Sequence, residues 1–406
     1  MTTSRERVLQ ALSFQTPDRV PRDLGGMLSS SISAFAYPKL VAALNLPYRL
    51  PRVYDTYQML AMPDLDVLDA LNIDVVTVLG KITNAYDQPD YWHPYDYNGR
   101  LPALVRDPDG YSLEAGGTII RGQTRMPPTS FVFDDPHGGQ PFTLDDYPKW
   151  DLDNYRQYLS VSEPKDEEII ALRDVCRRAR ESSDRAIFFN HGSLTADICI
   201  HGHGGIAVFP VICVTEPDYV TELHQIAMEQ ALKNIRLLLP EIKPYVDIVW
   251  LASDDWGTQK NTIASPKVFR ELFLPYRRQI NDECHKIAPQ VKTFLHSCGA
   301  IYNILDLIIE SGFDILNPVQ WPAGGHSYQD WKDKARNRIT FWGGGVNAQH
   351  TLPLGSVQDV AAEVKEVVSY MGQDGGYVFC NIHNILAEIP PEKVIAMYKA
   401  AAGLAG

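Results

Sequence analysis

Short apolar segments alternate with longer amphipathic segments along most of this 406-residue chain. Nearly every apolar segment is followed by a segment whose apolar residues recur at helical spacing. This alternation predicts parallel strands joined by right-handed helical crossovers, and eight such strands close a barrel. We therefore predict an α/β fold, a (β/α)8 TIM barrel. The predicted strands are Arg19–Leu24, Asp74–Leu79, Arg185–Asn190, Asp247–Ala252, a strand starting at Val291, Phe313–Asn317, Ile339–Trp342 and Gly376–Ile382.

Residues 80–150 interrupt this alternation. They are rich in proline, tyrosine, aspartate and glycine, and a turn signal at Asp107-Pro-Asp-Gly110 lies between short extended runs. The stretch is too long for a plain loop, so we predict a hairpin-rich insertion after the second strand of a single domain over residues 1–406. An open doubly wound sheet is the alternative, but no Gly-x-Gly-x-x-Gly motif follows the first strand.

Composition excludes several classes of protein. The formal net charge is -13 and no basic stripe is visible, which argues against nucleic-acid binding. No run of 18 apolar residues predicts a membrane span, and the N-terminus lacks a signal-peptide pattern, so we expect a cytoplasmic protein. The cysteines show no paired spacing, which fits a reducing compartment. Four of them are predicted to be small buried hydrophobes: Cys176, Cys199, Cys213 and Cys284.

Metal-binding side chains follow two of the predicted strands. His296 and Cys298 are two residues apart, so they face the same side of an extended segment, and Cys380 lies near the end of the last strand. One nitrogen and two sulfurs form the donor set of a zinc site with an open fourth position. Asp254 or Asp255 is a candidate for that position or for orienting His296, although both also fit a helix cap with a solvated charge.

Other polar side chains come at the carboxyl ends of the strands, where barrel enzymes place their active sites. We predict His383 as a catalytic residue together with Asp254 and Asp255; a loop-capping role is the alternative for His383. The predicted substrate-binding residues are His191, Gln259, Asn347, Gln349 and Asn384.

Several motifs resemble the uroporphyrinogen decarboxylase superfamily. The likeness extends over nearly the whole chain and is strongest from residue 240 to 406. It implies a (β/α)8 barrel, in agreement with the strand count. The motifs are Arg5-Glu-Arg-Val-Leu-Gln-Ala-Leu12 with Pro17-Asp-Arg-Val-Pro21, His296-Ser-Cys-Gly299, Leu307-Ile-Ile-Glu-Ser-Gly-Phe-Asp-Ile-Leu-Asn-Pro318, Phe341-Trp-Gly-Gly-Gly345 and Gly375-Gly-Tyr-Val-Phe-Cys-Asn-Ile-His-Asn384.

The resemblance implies one of two activities. The decarboxylases use no metal, and a motif resembling Met-Arg-Gln-Ala-Gly-Arg binds their substrate carboxylates. The corresponding place here reads Arg22-Asp-Leu-Gly-Gly-Met-Leu-Ser-Ser, which leaves only Arg22 for a substrate that needs several cations. This departure argues against decarboxylation, which remains the alternative, as does a non-catalytic barrel that binds a small molecule.

The other branch of the superfamily contains corrinoid-dependent methyltransferases. Their zinc ligands, a His-x-Cys pair and a later cysteine, match His296, Cys298 and Cys380. The resemblance therefore implies zinc-dependent methyl transfer between cobalamin and a thiol, a folate or a methyl ether. The chain has no Asp-x-His-x-x-Gly motif of its own, so cobalamin is expected on a partner corrinoid protein. The resemblance also allows a homodimer.

Overall fold

The computed structural model describes residues 2–134, 149–198, 203 and 205–402. Its main feature is a curled sheet in which seven parallel strands neighbour one another in chain order. Each begins within two residues of a predicted strand, so the predicted α/β alternation is confirmed. The strands, β1 to β7, are Val75–Leu79, Ala186–Phe189, Ile248–Ser253, Lys292–His296, Ile315–Asn317, Thr340–Trp342 and Tyr377–Val378.

The segment Arg19–Leu24 connects the two ends of this parallel series. It forms one bridge, between Arg22 and Phe379, and the prediction of a regular strand here is wrong. The Arg22 N–H donates to the carboxylate of Asp74 at 2.9 Å instead of to a neighbouring strand. The backbone of Asp74 donates to the Arg22 carbonyl and that of Asp23 to the Phe379 carbonyl, both at 2.8 Å. These bonds join β1 to the end of β7, as in a TIM barrel.

Helices pack against one face of the sheet. Many begin at capping residues, for example Ser327 and Ser356, whose hydroxyls accept a backbone N–H of the first turn. No helix within the described ranges is long and apolar enough to cross a membrane. The helices are Ser4–Leu12, Tyr37–Ala43, Leu65–Ala70, Leu152–Ser160, Asp166–Ser182, Gly205–Thr215, Pro217–Ile242, Pro266–Leu272, Leu274–Ile287, Leu305–Glu310, Tyr328–Ala335, Thr351–Leu354, Val357–Met371 and Pro391–Ala400.

The opposite face of the sheet lines a packed interior. The ring of Phe294 lies 4.7 Å from that of Phe188 and 5.8 Å from that of Trp342. Successive strand residues face opposite sides, so these inward residues alternate with others that pack under the helices. Three cysteines predicted to be buried are buried, and the fourth, Cys199, lies outside the described residues. The three are Cys176, Cys213 and Cys284.

Antiparallel strands follow β1. Ile82–Thr83 turns back along it, and two further antiparallel groups extend to residue 126. The predicted insertion over residues 80–150 includes 135–148, which lie outside the described residues. The first group pairs His93–Asp96 with Pro102–Val105, and the second contains Ser112–Leu113, Ile119–Arg121 and Thr124–Met126. A separate antiparallel group near the N-terminus contains Ile32–Ser33, Val53–Asp55 and Leu60–Ala61.

A buried carboxyl group, Asp23, makes folding sensitive to pH. It accepts hydrogen bonds from Ser30 Oγ, Trp342 Nε1 and the Gly26 N–H, yet burial raises its pKa to about 6. The folded protein thus binds this proton more tightly than the unfolded chain does. The contribution to the free energy of unfolding is fully present below the ordinary pKa of 3.8 and is lost as pH rises through about 6.

We expect Asp23→Asn to flatten the dependence of the free energy of unfolding on pH between about 4 and 6. Urea unfolding monitored by tryptophan fluorescence at a series of pH values would measure this slope. Asp153→Asn, at an exposed helix position, is the control and should retain the slope of the unmodified protein. An unchanged slope in Asp23→Asn would contradict the assignment.

Candidate metal centre

Two neighbouring strands bring their following loops together. Strands β3 and β4 are parallel and place Ser253 beside His296. Beyond them, a Cβ atom added to Gly257 would lie 2.4 Å from the backbone nitrogen of Ala300, so any side chain there would push the loops apart. Gly299 adopts a φ of +83°, which glycine reaches without strain. Two glycines thus allow the backbones of the two loops to pack directly against each other.

Asp255, His296 and Cys298 form a compact group at this junction. Each offers one ligand atom, and these atoms lie within 4.8 Å of one another. His296 Nε2 is 3.5 Å from Asp255 Oδ1, and the Cys298 N–H donates to the same oxygen at 3.0 Å. Tetrahedral zinc would hold a nitrogen and an oxygen ligand roughly 3.4 Å apart. Both the donor types and the spacing therefore fit a divalent ion.

The amide of Asn317 fixes the orientation of His296. Asn317 Nδ2 donates to the Trp342 carbonyl at 2.9 Å, so its Oδ1 is the acceptor for the remaining contacts. Ser29 Oγ donates to this oxygen at 2.6 Å, and His296 Nδ1 does so at the same distance. With its proton on Nδ1, the imidazole can present an unprotonated Nε2 to a metal ion.

The charges of the group are strongly coupled. Burial alone would raise the pKa of Asp255, but hydrogen bonds from His296 and from the Cys298 backbone hold that pKa well below its usual range. Burial would lower the pKa of His296, yet the neighbouring carboxylate and thiol raise it to about 10. Without a metal the group therefore retains a proton at His296, and a metal ion would have to displace it. The Asp255 side chain is 47% exposed, which leaves a route from solvent.

Cys380, the third predicted metal ligand, is not a member of this group. Its side chain is fully buried and packs in the barrel interior with Val378 and Trp342. Val378 and Cys380 are two residues apart, so both turn inward. Burial raises the pKa of the Cys380 thiol well above its ordinary value. The described group thus contains Asp255 and not Cys380, and the predicted role of Cys380 as a metal ligand stays a prediction.

Asp254, the neighbour of Asp255, has a different environment. It is buried and forms an ion pair with Arg277. The same guanidinium lies 3.7 Å from Asp197, whose carboxylate accepts the Ser253 N–H at 2.7 Å. These contacts anchor the end of β3 and the loop that carries Asp255. Asp254 thus supports the loop and is not a member of the metal-binding group, and its predicted catalytic role stays a prediction.

His383 lies beside His296. Their ring centroids are 5.5 Å apart and the rings are inclined by 70°. Burial, and then the positive charge of His296, lower the pKa of His383 to about 4, so its ring is neutral near pH 7. Its φ of +63° is uncommon for a residue other than glycine, and such strain is often found at functional sites. The position suits a role next to the metal group.

Comparison with known proteins identifies the family. The profile of the uroporphyrinogen decarboxylase (URO-D) family matches residues 145–404, more than half of the chain. The chain belongs to the uroporphyrinogen decarboxylase family. No curated protein sequence matches it. Among solved structures, a methyltransferase from Methanosarcina mazei has 17% sequence identity and a TM-score of 0.57, and the alignment covers 99% of this chain and 98% of that one. At this identity the match shows a shared fold.

Glycoside hydrolases give weaker structural matches. A psychrophilic family 10 xylanase has 8% identity, a TM-score of 0.32 and coverage of 54% of this chain and 71% of its own. Xylanase 10B from Thermotoga maritima has 10% identity, a TM-score of 0.33 and coverage of 57% and 79%. These TM-scores are too low to support any argument about the function of this protein.

Arg22 is the one arginine in the segment that the sequence resemblance sets against the arginine-rich motif of the decarboxylases. Its side chain is buried, and its Nη1 donates to the Tyr398 carbonyl at 3.0 Å. Burial lowers the pKa of this guanidinium to about 10. The Arg22 side chain therefore lies in the protein interior and is not exposed to bind the carboxylates of a substrate.

Two predicted substrate-binding residues lie outside the metal-binding group. His191 is partly buried, and its Nδ1 makes a 2.7 Å hydrogen bond with Ser193 Oγ. Gln259 is exposed, and its carbonyl accepts the Gly324 N–H at 3.0 Å. The structure thus gives both residues local contacts, and their predicted role in binding substrate stays a prediction.

Asn347 and Gln349 follow β6. Asn347 Oδ1 accepts the N–H groups of Gln349 and His350 at 3.1 and 3.0 Å, which stabilises the turn. Gln349 Oε1 lies 3.4 Å from Gln320 Nε2, and Gln320 Oε1 accepts the Gly299 N–H at 2.9 Å. Gln349 therefore reaches the metal-binding loop through Gln320, and Asn347 stabilises its own turn. The predicted role of both residues in binding substrate stays a prediction.

Several residues that support the site were absent from the predicted set. Asn317 could have been predicted from the sequence, because it ends a strand next to the one that carries His296. Arg277 could also have been predicted, since it shares the buried side of its helix with Ile280 and Cys284. A buried arginine requires an acidic partner. Ser29 could not have been predicted from the sequence, because its contact, Asn317, is 288 positions away.

Proposed function

We propose that this protein is a zinc-dependent methyltransferase that moves a methyl group between cobalamin on a partner corrinoid protein and a small substrate. The observation that carries the proposal is the group of Asp255, His296 and Cys298 at the carboxyl ends of adjacent parallel strands. Barrel enzymes place their chemistry at this end. The fold shared with the Methanosarcina mazei methyltransferase over nearly the full length supports the same class of reaction.

In this proposal the three residues hold one zinc ion. The carboxylate of Asp255 and the thiolate of Cys298 would balance its two positive charges, and neutral His296 would complete three ligands with a fourth position open to substrate. Bound zinc would supply Lewis acidity, which makes a thiol a thiolate at neutral pH or polarises the oxygen of a methyl ether. Asn317 binds His296 Nδ1 and would leave Nε2 free to hold such an ion, and Asp254 with Arg277 holds the loop of Asp255 in place.

The burial of Arg22 weighs against the alternative of decarboxylation. A substrate with many carboxylates requires exposed cations at the site, whereas this guanidinium is bound to a backbone carbonyl in the interior. The second alternative is a barrel that binds a ligand without converting it. It predicts a bound ligand and no reaction product.

Metal analysis followed by an activity assay tests the proposal. We expect one equivalent of zinc in the purified protein. We also expect zinc-dependent methyl transfer between free cobalamin and members of a panel of thiols and methoxylated aromatic compounds. Release of carbon dioxide from uroporphyrinogen without metal would contradict the proposal. So would tight binding of a ligand from the panel without any product by mass spectrometry.

The contact between Asn317 and His296 leads to a separate prediction. Asn317→Ala removes the acceptor of His296 Nδ1, so the ring loses its fixed orientation. We expect zinc affinity to fall by roughly 10 to 100-fold, the usual effect of losing a partner behind a metal ligand. A titration against a chelator of known affinity measures it. Asn337→Ala, in an exposed turn, is the control and should keep the original affinity. Unchanged affinity in Asn317→Ala would contradict the assigned orientation.

A further inference from the structure

A cleft of about 360 Å³ shares no residue with the metal-binding group. Its walls come from three segments near the N-terminus, residues 49–52, 64–66 and 84–87. The volume suits a small organic molecule. The cleft is therefore a second place where this protein could bind a ligand, and its side chains indicate which kind.

Two ion pairs hold the arginine side chains of this cleft in place. Arg49 forms a bidentate pair with Asp66, in which both N···O distances are 2.6 Å, and its Nε donates to the Pro47 carbonyl at 3.0 Å. Arg52 Nη2 donates to Asp64 Oδ1 at 2.8 Å. The two guanidinium groups are thus fixed before a ligand arrives, which lowers the entropy cost of binding.

Arg52 keeps hydrogen-bond donors that the protein does not use. A guanidinium carries five N–H groups, and within the described ranges only the bond from Nη2 to Asp64 engages this one. Its Nε is enclosed without a partner, whereas Nη1 has no partner and is not enclosed. Because Arg52 lines the cleft and its side chain is 11% exposed, Nη1 is the donor that a ligand there can reach. Carboxylates are the acceptors that guanidinium groups bind most strongly.

One carboxylate of the cleft remains uncompensated. Asp64 and Asp66 pair with the two arginines, whereas Asp87 is exposed and has no side-chain hydrogen bond or ion pair within the described ranges. The lining residues therefore carry two positive and three negative charges. This excess disfavours a simple anion, and an ammonium group beside Asp87 would balance it.

Two apolar side chains complete the wall. Leu65 and Tyr86 are partly buried and pack against the main hydrophobic core. The guanidinium of Arg178 lies 4.3 Å from the centre of the Tyr86 ring, which helps to hold the ring in position. A ligand with a short apolar chain would find a matching surface here.

We propose that this cleft binds a small zwitterion with a short apolar chain. Its carboxylate accepts a hydrogen bond from Arg52 Nη1, and its ammonium group pairs with Asp87. Free amino acids meet this description, as do their isomers with a longer spacing between the two charges. The inference goes beyond the proposed function and is independent of it, because no metal and no residue of the metal-binding group takes part.

Titration of the purified full-length protein, followed by NMR signals of the probe, tests the inference. The probes are L-leucine and 5-aminopentanoate, each compared with molecules that lack one of its charges. These are 3-methylbutylamine and 4-methylpentanoate for leucine, and butylamine and pentanoate for 5-aminopentanoate. At least one zwitterion should bind about 10-fold more tightly than both of its comparison molecules, since each of these loses one charged hydrogen bond. Equal affinities within each set, or no binding of either zwitterion, would overturn the proposal.

Two variants assign the contacts of the ligand. Asp87→Asn should weaken binding of the zwitterion about 10-fold, and it alters an exposed side chain that holds no other residue in place. Arg52→Met should weaken the zwitterion similarly and leave the amine probe unchanged; urea unfolding checks its fold, because Arg52 also pairs with Asp64. Asp90→Asn, at a nearby exposed residue that does not line the cleft, is the control and should alter nothing. Unchanged binding in Asp87→Asn would contradict the assigned pairing.

The same titration separates the cleft from the metal-binding group. Cys298→Ser should bind the zwitterion like the unmodified protein, because Cys298 does not line the cleft. Loss of binding in this variant would place the ligand at the metal-binding group and would overturn the proposal.

Discussion

Cys298→Ser is expected to abolish stoichiometric zinc binding and to lower the rate of methyl transfer by roughly 10³-fold or more. A serine hydroxyl stays protonated near pH 7, so the variant loses a negative sulfur ligand, and a catalytic metal contributes several kcal/mol to transition-state stabilisation. Elemental analysis after gel filtration measures the zinc, and the assay with free cobalamin measures the rate.

Cys284→Ser is the matched control. Cys284 lies in the helix Leu274–Ile287, and burial raises the pKa of its thiol to about 12, so it is protonated and not suited to bind metal. This variant should retain one zinc per chain and most of the activity. Full zinc occupancy in Cys298→Ser would contradict the role of this sulfur, and equal loss in both variants would show an effect on folding instead.

Asp74→Asn is expected to lower the free energy of unfolding by about 3 to 5 kcal/mol. The Asp74 side chain is fully buried and accepts bonds from Arg7 Nη1 at 2.8 Å and Arg19 Nη1 at 2.6 Å. It also accepts the Arg22 N–H at 2.9 Å, which holds the segment that joins β1 to the end of β7. Removal of one charge from a buried ion pair leaves its partner uncompensated, which explains the size of the effect.

Asp69→Asn provides the comparison on the surface. Asp69 also pairs with an arginine, Arg185, but its side chain is 69% exposed. Solvent screens such a pair, so we expect a loss of less than about 1 kcal/mol. Urea unfolding of both variants, followed by tryptophan fluorescence, measures the difference. Similar small losses in the two variants would show that Asp74 does not hold the ends of the sheet together.

The fold could be predicted from the sequence because short strands and long helices have different periodicities. The spacing of His296 and Cys298 likewise predicted that they would face one side. The choice between Asp254 and Asp255 could not be predicted in this way. The ladder between β3 and β4 shifts register between Trp250 and Ala252, so simple alternation does not extend to the residues that follow.

The position of Cys380 was equally inaccessible to sequence reasoning. Strand β7 ends at Val378, and the two residues after it, Phe379 and Cys380, are fully buried. The sequence indicates that a cysteine is near a strand end, but packing around it decides whether the thiol reaches the mouth of the barrel. Contacts such as Ser29 with Asn317 depend on the complete tertiary fold, since these residues are distant in sequence.

X-ray absorption at the zinc edge of the metal-loaded protein tests the central claim most directly. Coordination by Asp255, His296 and Cys298 predicts one sulfur at about 2.3 Å, with nitrogen and oxygen ligands at about 2.0 to 2.2 Å. The sulfur signal should disappear in any zinc-reconstituted Cys298→Ser protein. Two sulfur ligands would place Cys380 at the metal and contradict this donor set, and a spectrum without sulfur would contradict the site itself.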